Sequence, residues 1–278
     1  MFAVREPVGA GMFYNVDKDL LLKEVDAAFK SPSGPKKIDS EDFIAAIVPH
    51  DKLHLSGSVA AWAYAKMEKA NYVIIGPNHN SIGSRFAVMR DGMWKNPLGG
   101  ISIDSKVAQK IIDKTKLVTY DVLAHKDEHA IEVQLPFLQY KFGNDFKMVP
   151  LNITNSTADL DFVRACVLIG KTIGQILNSD KEDWIIIGTT DFTSGAKDLV
   201  ERLDKSLLKA ILTLKPEKIF ETMNETNSNV CGYGALLTTI AAAREGGARR
   251  AKLLKYATSY DVTQDPTSVT GYASIIIY

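Results

Sequence analysis

Cysteine is scarce in this sequence, which has two thiols, Cys166 and Cys231, among 278 residues. Two thiols are too few for a disulfide framework and indicate a reducing compartment, so we expect a cytoplasmic protein. An excess of charge is also absent, because 33 acidic residues balance 33 basic ones. This balance argues against nucleic acid or an anionic membrane surface as a partner. Since no apolar run approaches the length of a membrane span, we predict neither a transmembrane helix nor a signal peptide.

The remaining composition is ordinary for a globular protein, with 46% hydrophobic and 24% charged residues. Short apolar runs typical of buried strands alternate with segments of helical periodicity along the whole length. This alternation predicts an α/β fold in one domain, residues 1–278, with a central, mostly parallel sheet flanked by helices. Only residues 31–39, SPSGPKKID, resemble a linker, and this stretch is too short and too early to separate two domains.

Helical spacing of apolar residues marks several segments, and cap residues mark some of their ends. A small-residue helix is predicted to start at Ser56-Gly57, and a helix over residues 125–140 is predicted to break near Pro136. Turn residues predict a β-hairpin excursion within residues 86–103. The other predicted helices are residues 18–30, 104–114, 160–177, 199–213, 216–224 and 233–244, and the last two strands are residues 251–258 and 271–278.

Three apolar runs deliver polar side chains to the ends of predicted parallel strands. The run YVII is closed by Gly-Pro and followed by His79, FIAAIV is closed by Pro and His50, and WIIIG precedes Asp191. Ligands of open α/β sheets bind beyond the carboxyl ends of the strands. We therefore expect His50, His79 and Asp191 to meet at one edge of the sheet, although a lone loop histidine is more commonly a hydrogen-bonded structural residue.

Cys231 adds a thiol to this set. It lies in NVCGYG, where two glycines bring the backbone close to whatever the thiol contacts, and a helix starting at the thiol would favour a thiolate. Two imidazoles and one thiolate leave a coordination position open, as catalytic metal sites do, and they resemble the triad of two histidines and one carboxylate. The alternative for Cys231 is a small buried core residue.

Ordered motifs along nearly the full length carry a resemblance to a known family. They are Arg5-Glu6-Pro7, Phe13-Tyr14, Val48-Pro49-His50 with Ser56-Gly57, Gly76-Pro77-Asn78-His79, Trp94 with Pro97-Leu98-Gly99, Glu128-His129-Ala130-Ile131-Glu132, Asp191, Cys231-Gly232 and Gly271-Tyr272-Ala273-Ser274. In these motifs the chain resembles the Memo family, a branch of the fold of class III extradiol (LigB-like) dioxygenases. The resemblance implies that LigB-like fold and a metal held by His50, His79 and Cys231, where the dioxygenases have a carboxylate at the third position.

Two motifs depart from the family pattern. The family reads Pro-His-x-Gly-Tyr-x-Tyr-Ser-Gly after the first ligand, whereas here the glycine and both tyrosines are missing and Lys52 and His54 stand in the expected pocket wall. The family also reads Ser-Ser-Asp-x-x-His, and Ser194 replaces the last histidine, the acid/base of the dioxygenases. Serine does not shuttle protons near neutral pH, and loss of a general acid/base costs a factor of roughly 10²–10⁴ in rate. Ordinary dioxygenase chemistry is therefore not expected.

His129 and Asp191 are the remaining catalytic candidates. His129 corresponds to a substrate-side histidine of the dioxygenases, and its alternative is a structural histidine held by Glu128 or Glu132. Asp191 is expected to hold a ligand imidazole or metal-bound water, and its alternative is a helix N-cap. The other candidates are His54, a weaker ligand candidate or a partly exposed loop residue, His125, a solvated or capping residue, and Cys166, a core residue.

These residues support three functions. The first is a redox enzyme with altered acid/base chemistry that uses a divalent metal, with Fe(II) favoured and Zn or Cu behind it. The second is a non-catalytic metal or redox-binding protein whose pocket takes a small molecule or a peptide. The third is a fold that has lost its metal. A neutral charge balance permits an oligomer without demanding one.

Overall fold

The computed structural model describes residues 3–155 and 159–278. Within them the helices are α1 (Lys18–Lys30), α2 (Leu53–Lys66), α3 (Ser105–Thr115), α4 (Leu123–Lys126), α5 (Leu135–Phe142), α6 (Leu160–Asn178), α7 (Lys197–Ile211), α8 (Pro216–Thr226), α9 (Tyr233–Glu245) and α10 (Tyr260–Thr263). The strands are β1 (Val4–Arg5), β2 (Ala45–Val48), β3 (Asn71–Pro77), β4 (Phe86–Val88), β5 (Met93–Asn96), β6 (Gly99–Ile103), β7 (Thr119–Tyr120), β8 (Lys147–Ile153), β9 (Trp184–Thr189), β10 (Ser194–Gly195), β11 (Ala251–Thr258) and β12 (Val269–Ile277).

These strands hydrogen-bond into one sheet in the order β1-β5-β6-β8-β3-β9-β2-β12-β10, with β11 added to β12 and with β4 and β7 added beside β8. The centre, β8-β3-β9-β2, is parallel, and its register places Val73 opposite Val149 on one side and Ile186 on the other. Antiparallel pairs occur toward the margins, as between β5 and β6 and between β2 and β12. The predicted α/β architecture with a mostly parallel central sheet is confirmed.

The central strands are buried on both faces, as their continuous apolar runs require. Helix α9 packs on β9, β3 and β2, and α6 packs on α9. These two helices approach closely at Gly170 of α6, where a Cβ would clash with the carbonyl oxygen of Thr238 in α9. The segment that leads into α9 carries Cys231, so this packing places the thiol beside the ends of the central strands.

Helix α2 begins at Leu53, so the predicted start at Ser56 is wrong. A tertiary contact starts the helix, because the backbone N–H of Leu53 donates to the carbonyl of Phe13 at 2.9 Å. The hydroxyl of Ser56 then donates to the carbonyl of Asp51 at 2.9 Å and steadies the first turn. His54 therefore lies inside this first turn, with an exposed side chain.

The predicted helix over residues 125–140 is also wrong. Helix α4 ends at Lys126, a 3₁₀ turn covers Glu132–Gln134, and α5 starts at Leu135. Pro136 does not break a helix but lies in the first turn of α5, where its missing N–H interrupts no hydrogen bond. The residues in between bond to distant segments instead of forming helix.

His125 is neither solvated nor a cap, because its side chain is completely buried. Its ring meets that of Trp94 edge-on, with 5.7 Å between the ring centroids, and its carbonyl accepts a hydrogen bond from Arg5 at 2.7 Å. Burial, reinforced by the charge of Arg5, lowers the pKa of His125 to about 3. His125 is therefore a neutral core residue.

Several other predictions are confirmed. Helix α1 and strand β11 have the predicted bounds, and the carboxylate of Asp104 caps α3 by accepting from the backbone N–H of Val107 at 2.9 Å. Strands β5 and β6 form the hairpin, while β4 pairs with β7 and β8. Cys166 lies in the core. Across the described residues, every helix is too short or too polar to span a bilayer.

Candidate metal centre

The carboxyl ends of β3, β9 and β2, which are neighbours in the sheet, open on a pocket of about 220 Å³. All five predicted site residues line this pocket: His50, His79, His129, Asp191 and Cys231. The rest of the wall is formed by Phe13, Asp51, Phe192, Ser194, Asn229 and Thr270. The polar ends of three strands thus meet at one edge of the sheet.

The imidazole of His50 is buried and held through one nitrogen. Its Nδ1 lies 3.0 Å from Oγ1 of Thr189, and that hydroxyl accepts a hydrogen bond from the side-chain amide of Gln134 at 3.0 Å. Its Nε2 faces the pocket, 3.2 Å from Sγ of Cys231. Burial, and then the neighbouring His79 and His129, lower the pKa of His50 well below its usual value. A neutral imidazole results, which is the form that binds metals.

His79 is held by the carboxylate of Glu128. Its Nδ1 lies 2.9 Å from Oε1 of Glu128, and its backbone N–H donates to Oε2 of the same residue at 2.6 Å. Burial alone would lower the pKa of His79, but the hydrogen bond and charge of Glu128 outweigh it and raise that pKa. The carboxylate keeps the proton of a neutral ring on Nδ1 and leaves Nε2 free.

Cys231 lies just before α9, which starts at Tyr233 with Gly232 as its N-cap. Its Sγ accepts a hydrogen bond from the backbone N–H of Asp191 at 3.2 Å. Because α9 begins at Tyr233 and not at Cys231, the condition for a helix-stabilised thiolate is not met, and burial, followed by the charge of Asp191, raises the pKa of the thiol. A thiol in these surroundings ionises readily only beside a cation, because a coordinated thiol loses its proton outright.

Asp191 connects the ends of β9 and β2. Its Oδ1 accepts the backbone N–H of His50 at 2.9 Å, and its Oδ2 lies 3.7 Å from Nε2 of His50. Burial, and then the nearby Asp51 carboxylate, raise the pKa of Asp191 to about 7. The alternative role as a helix N-cap is wrong, since the N-cap of α7 is Ala196.

His129 stands on the pocket wall between two rings. It stacks on Phe13 with ring centroids 3.8 Å apart, and on His79 with centroids 4.9 Å apart. Its Nδ1 lies 3.4 Å from Oε1 of Glu128. Burial is the main cause that lowers the pKa of His129 to about 4. The ring is therefore neutral near pH 7 and is only a weak base.

Two groups of potential ligand atoms share His50. In the first group, ring nitrogens of His50, His79 and His129 all lie within 4.8 Å of one another. In the second, atoms of His50, Asp191 and Cys231 do so. Among the described residues neither group contains both His79 and Cys231, so His50 lies between a nitrogen-rich side and a side with a thiol and a carboxylate. Donors of these kinds suit Fe, Zn or Cu.

The residues that depart from the family pattern lie in different places. Lys52 is the exposed N-cap of α2, and His54 borders a separate cleft together with Glu24, so neither stands in the wall of the metal pocket formed by the described residues. That expectation is wrong because α2 begins at Leu53. Ser194 does line the pocket, with its hydroxyl oxygen 3.0 Å from Oγ1 of Thr270.

Sequence reasoning named Glu128 only as a possible partner of His129 and not as the partner of His79. Phe13 stood in a family motif, Phe13-Tyr14, but was given no role in the site. Thr189 and Asn229 had no signal beyond their nearness to Asp191 and Cys231. Asn229 accepts the backbone N–H of Ser194 through Oδ1 at 3.0 Å, a contact across 35 residues of chain. Such partners emerge only from the folded chain.

The fold and the pocket define an α/β protein with a candidate centre of histidine, cysteine and aspartate at the ends of parallel strands. The model of a family described as Memo-like protein matches residues 5–276. The chain belongs to this family, and the resemblance noted in its motifs is confirmed.

Two relatives named as MEMO1 family proteins support this assignment. The MEMO1 family protein of Methanopyrus kandleri is 35% identical over 282 residues, covering 98% of this chain and 98% of the relative. The MEMO1 family protein of Methanococcoides burtonii is 37% identical over 276 residues, covering 99% of this chain and 100% of the relative.

A solved structure extends the comparison to the fold. An uncharacterized protein from Escherichia coli K12 superposes with a TM-score of 0.57 and 14% identity, covering 85% of this chain and 100% of that one. At this identity the likeness concerns the architecture alone, and it is consistent with the LigB-like fold predicted for the chain.

Proposed function

We propose that the protein binds one divalent metal ion through Nε2 of His50, Nε2 of His79 and Sγ of Cys231, with Fe(II) favoured and Zn or Cu as alternatives. One observation carries this proposal. Thr189 holds Nδ1 of His50 and Glu128 holds Nδ1 of His79, so both Nε2 atoms are left for an ion. The cytoplasm is the proposed compartment, because a reducing environment keeps Cys231 free to bind.

A bound ion would supply Lewis acidity and, if it is iron or copper, one-electron redox chemistry. The protein's own contribution is proton handling around the ion. In the metal-free protein Asp191, with its pKa raised to about 7, carries a proton below that pH, and it becomes a carboxylate when a cation binds beside it. This carboxylate and the neutral ring of His129, a weak base with a pKa of about 4, both line the pocket as proton acceptors for a bound ligand. These two groups would replace the histidine that the family has at the position of Ser194.

The alternative is a non-catalytic binder of a small molecule or peptide in the same pocket. The rim formed by Ser194, Asn229 and Thr270 favours it. The hydroxyls of Ser194 and Thr270 lie within hydrogen-bond distance, the side chain of Asn229 bonds to the backbone of Ser194, and side chains of these types do not titrate near pH 7. Such a rim recognises polar atoms of a ligand but does not transfer protons to it.

Metal content after anaerobic reconstitution with iron, zinc and copper tests the site. We expect about one equivalent in the wild type and its loss in His50→Ala, His79→Ala and Cys231→Ser. His54→Ala and Cys166→Ala are the matched controls, since they remove a histidine and a cysteine outside the pocket. A wild type that takes up no stoichiometric metal refutes the proposal.

Oxygen consumption by the metal-loaded protein with catechol-like substrates separates enzyme from binder. An enzyme of the proposed kind consumes oxygen and loses about 10²-fold or more in rate when His129 is replaced by glutamine. A metal-loaded wild type that is inactive, and that gains activity in Ser194→His, shows that loss of the family base accounts for the missing reaction.

A further inference from the structure

Phe13 lines two cavities. One is the metal pocket of about 220 Å³. The other is a cleft of about 340 Å³ that is bordered by Glu24 and His54. The metal pocket is smaller than the roughly 300–1,000 Å³ typical of sites for drug-sized ligands, so the position of this ring decides how large a ligand fits.

The ring is held on its face and through its backbone. Its face stacks on the imidazole of His129, with a centroid separation of 3.8 Å and an interplanar angle of 19°. The backbone N–H of Phe13 donates to the carbonyl of Gly9 at 2.8 Å, and the carbonyl of Phe13 accepts from the N–H of Leu53 at 2.9 Å. Contacts of both its ring and its backbone therefore hold Phe13 in this position.

The loop that carries Phe13 is anchored by one buried carboxylate. Glu132 accepts the backbone N–H of Val8 at 3.0 Å and that of Gly9 at 2.8 Å. It also pairs with the guanidinium of Arg5 and accepts the hydroxyl of Tyr14. Since Glu132 follows His129 closely in the chain, the wall and the imidazole that it covers are attached to the same short segment.

We propose that Phe13 is a size-selecting residue that restricts the metal pocket to ligands of about one ring and closes it to larger ligands extending toward Glu24 and His54. The selection of ligands by size rests on the proposed metal site, because the ligands bind to its ion. The shielding of His129 by Phe13 does not depend on a metal. Removal of the ring joins the two cavities, and the longer cavity admits a second ring.

The first test needs no metal. Diethylpyrocarbonate modifies accessible imidazoles of the metal-free protein, and mass spectrometry measures the rate at each histidine. We expect His129 to react several-fold faster in Phe13→Ala than in the wild type, with Phe13→Leu in between and buried His125 unreactive throughout. If the modification rate of His129 is the same in Phe13→Ala as in the wild type, Phe13 does not shield this imidazole and the proposal is refuted, whether or not the protein binds metal.

The second test uses the Co(II)-loaded protein, whose visible absorption reports ligands at the ion. Imidazole should bind the wild type at least about tenfold more tightly than 4-phenylimidazole, because a pocket discriminates by size. Phe13→Ala should remove this preference and Phe13→Trp should keep it. An unchanged preference in Phe13→Ala overturns the proposal.

Together the two tests distinguish failure of the proposed metal site from failure of the proposed role of Phe13. A wild type without Co(II) uptake, but with faster modification of His129 in Phe13→Ala, refutes the metal site and leaves the wall intact. Circular dichroism of each variant identifies any that fail to fold, and Phe13→Leu, which keeps an apolar side chain over His129, then takes the place of Phe13→Ala.

Discussion

Glu128 contacts His79 through both of its carboxylate oxygens. Oε2 accepts the backbone N–H of His79 at 2.6 Å, and Oε1 lies 2.9 Å from Nδ1 of the ring. The carboxylate is buried and also accepts the backbone N–H of Ala130 at 2.9 Å. Burial alone would raise the pKa of Glu128, but the contacts with His79 outweigh it and lower that pKa. A charged carboxylate therefore sets both the position and the tautomer of His79.

Replacement of Glu128 should weaken metal binding without touching a proposed ligand. We expect Glu128→Ala to lose about 10–100-fold in metal affinity and Glu128→Gln to lose less, because glutamine keeps a hydrogen-bond acceptor but not the charge. Competition with a chelator measures both. Glu6→Gln, at an exposed carboxylate away from the pocket, is the control. Equal affinities for the wild type and Glu128→Ala would show that His79 needs no such support.

Metal affinity should rise with pH through the titration of Asp191. The pKa of Asp191 is about 7, so this side chain carries a proton below that pH, and a cation bound beside it expels the proton. Between about pH 5.5 and 7, Asp191→Asn should therefore flatten the rise in log affinity by up to about one unit per pH unit. A chelator competition series over pH measures the slope, and identical slopes contradict this role.

Acid should destabilise the fold through His125. Its pKa is about 3 in the folded chain and ordinarily about 6.5, so the unfolded chain binds the proton first as pH falls. The stability it contributes is complete above about pH 6.5 and is lost toward pH 3, at up to about 1.4 kcal/mol per pH unit. Denaturant unfolding of His125→Phe over this range should show a shallower loss. Val133→Ala, which is destabilising but not titratable, should keep the wild-type slope.

The Arg5–Glu132 pair should matter far more than an ion pair on the surface. Arg5→Met leaves the buried carboxylate of Glu132 without its cation, which costs about 3–5 kcal/mol in the free energy of unfolding. Lys95→Met breaks the exposed pair with Glu6 and should cost about 0–1 kcal/mol. Urea denaturation compares them. Similar losses for both variants would mean that the anchor of the Phe13 loop adds little to stability.

Features that depend on neighbouring residues in the chain, such as secondary structure and motifs, are predicted correctly from the sequence. Continuous apolar runs predicted the central strands, and helical spacing predicted α1, because burial on two faces and on one face leaves different periods in the residues themselves. The motifs around His50, His79 and Cys231 identified the family. Local signals failed where a distant segment decided the outcome, as at Leu53, whose helix begins with a hydrogen bond to Phe13.

The sequence by itself determined the fold class, the family and the kinds of donor atom available, because these follow from composition, periodicity and motif. Only the tertiary structure decided which nitrogen of each imidazole is free, that Asp191 and Cys231 lie beside His50, and that Phe13 covers His129. The tertiary structure also shows that Lys52 and His54 lie outside the lining of the metal pocket and that His125 is buried. The physical reason is that these positions depend on contacts between residues far apart in the chain, and the local sequence pattern around a residue does not predict such contacts.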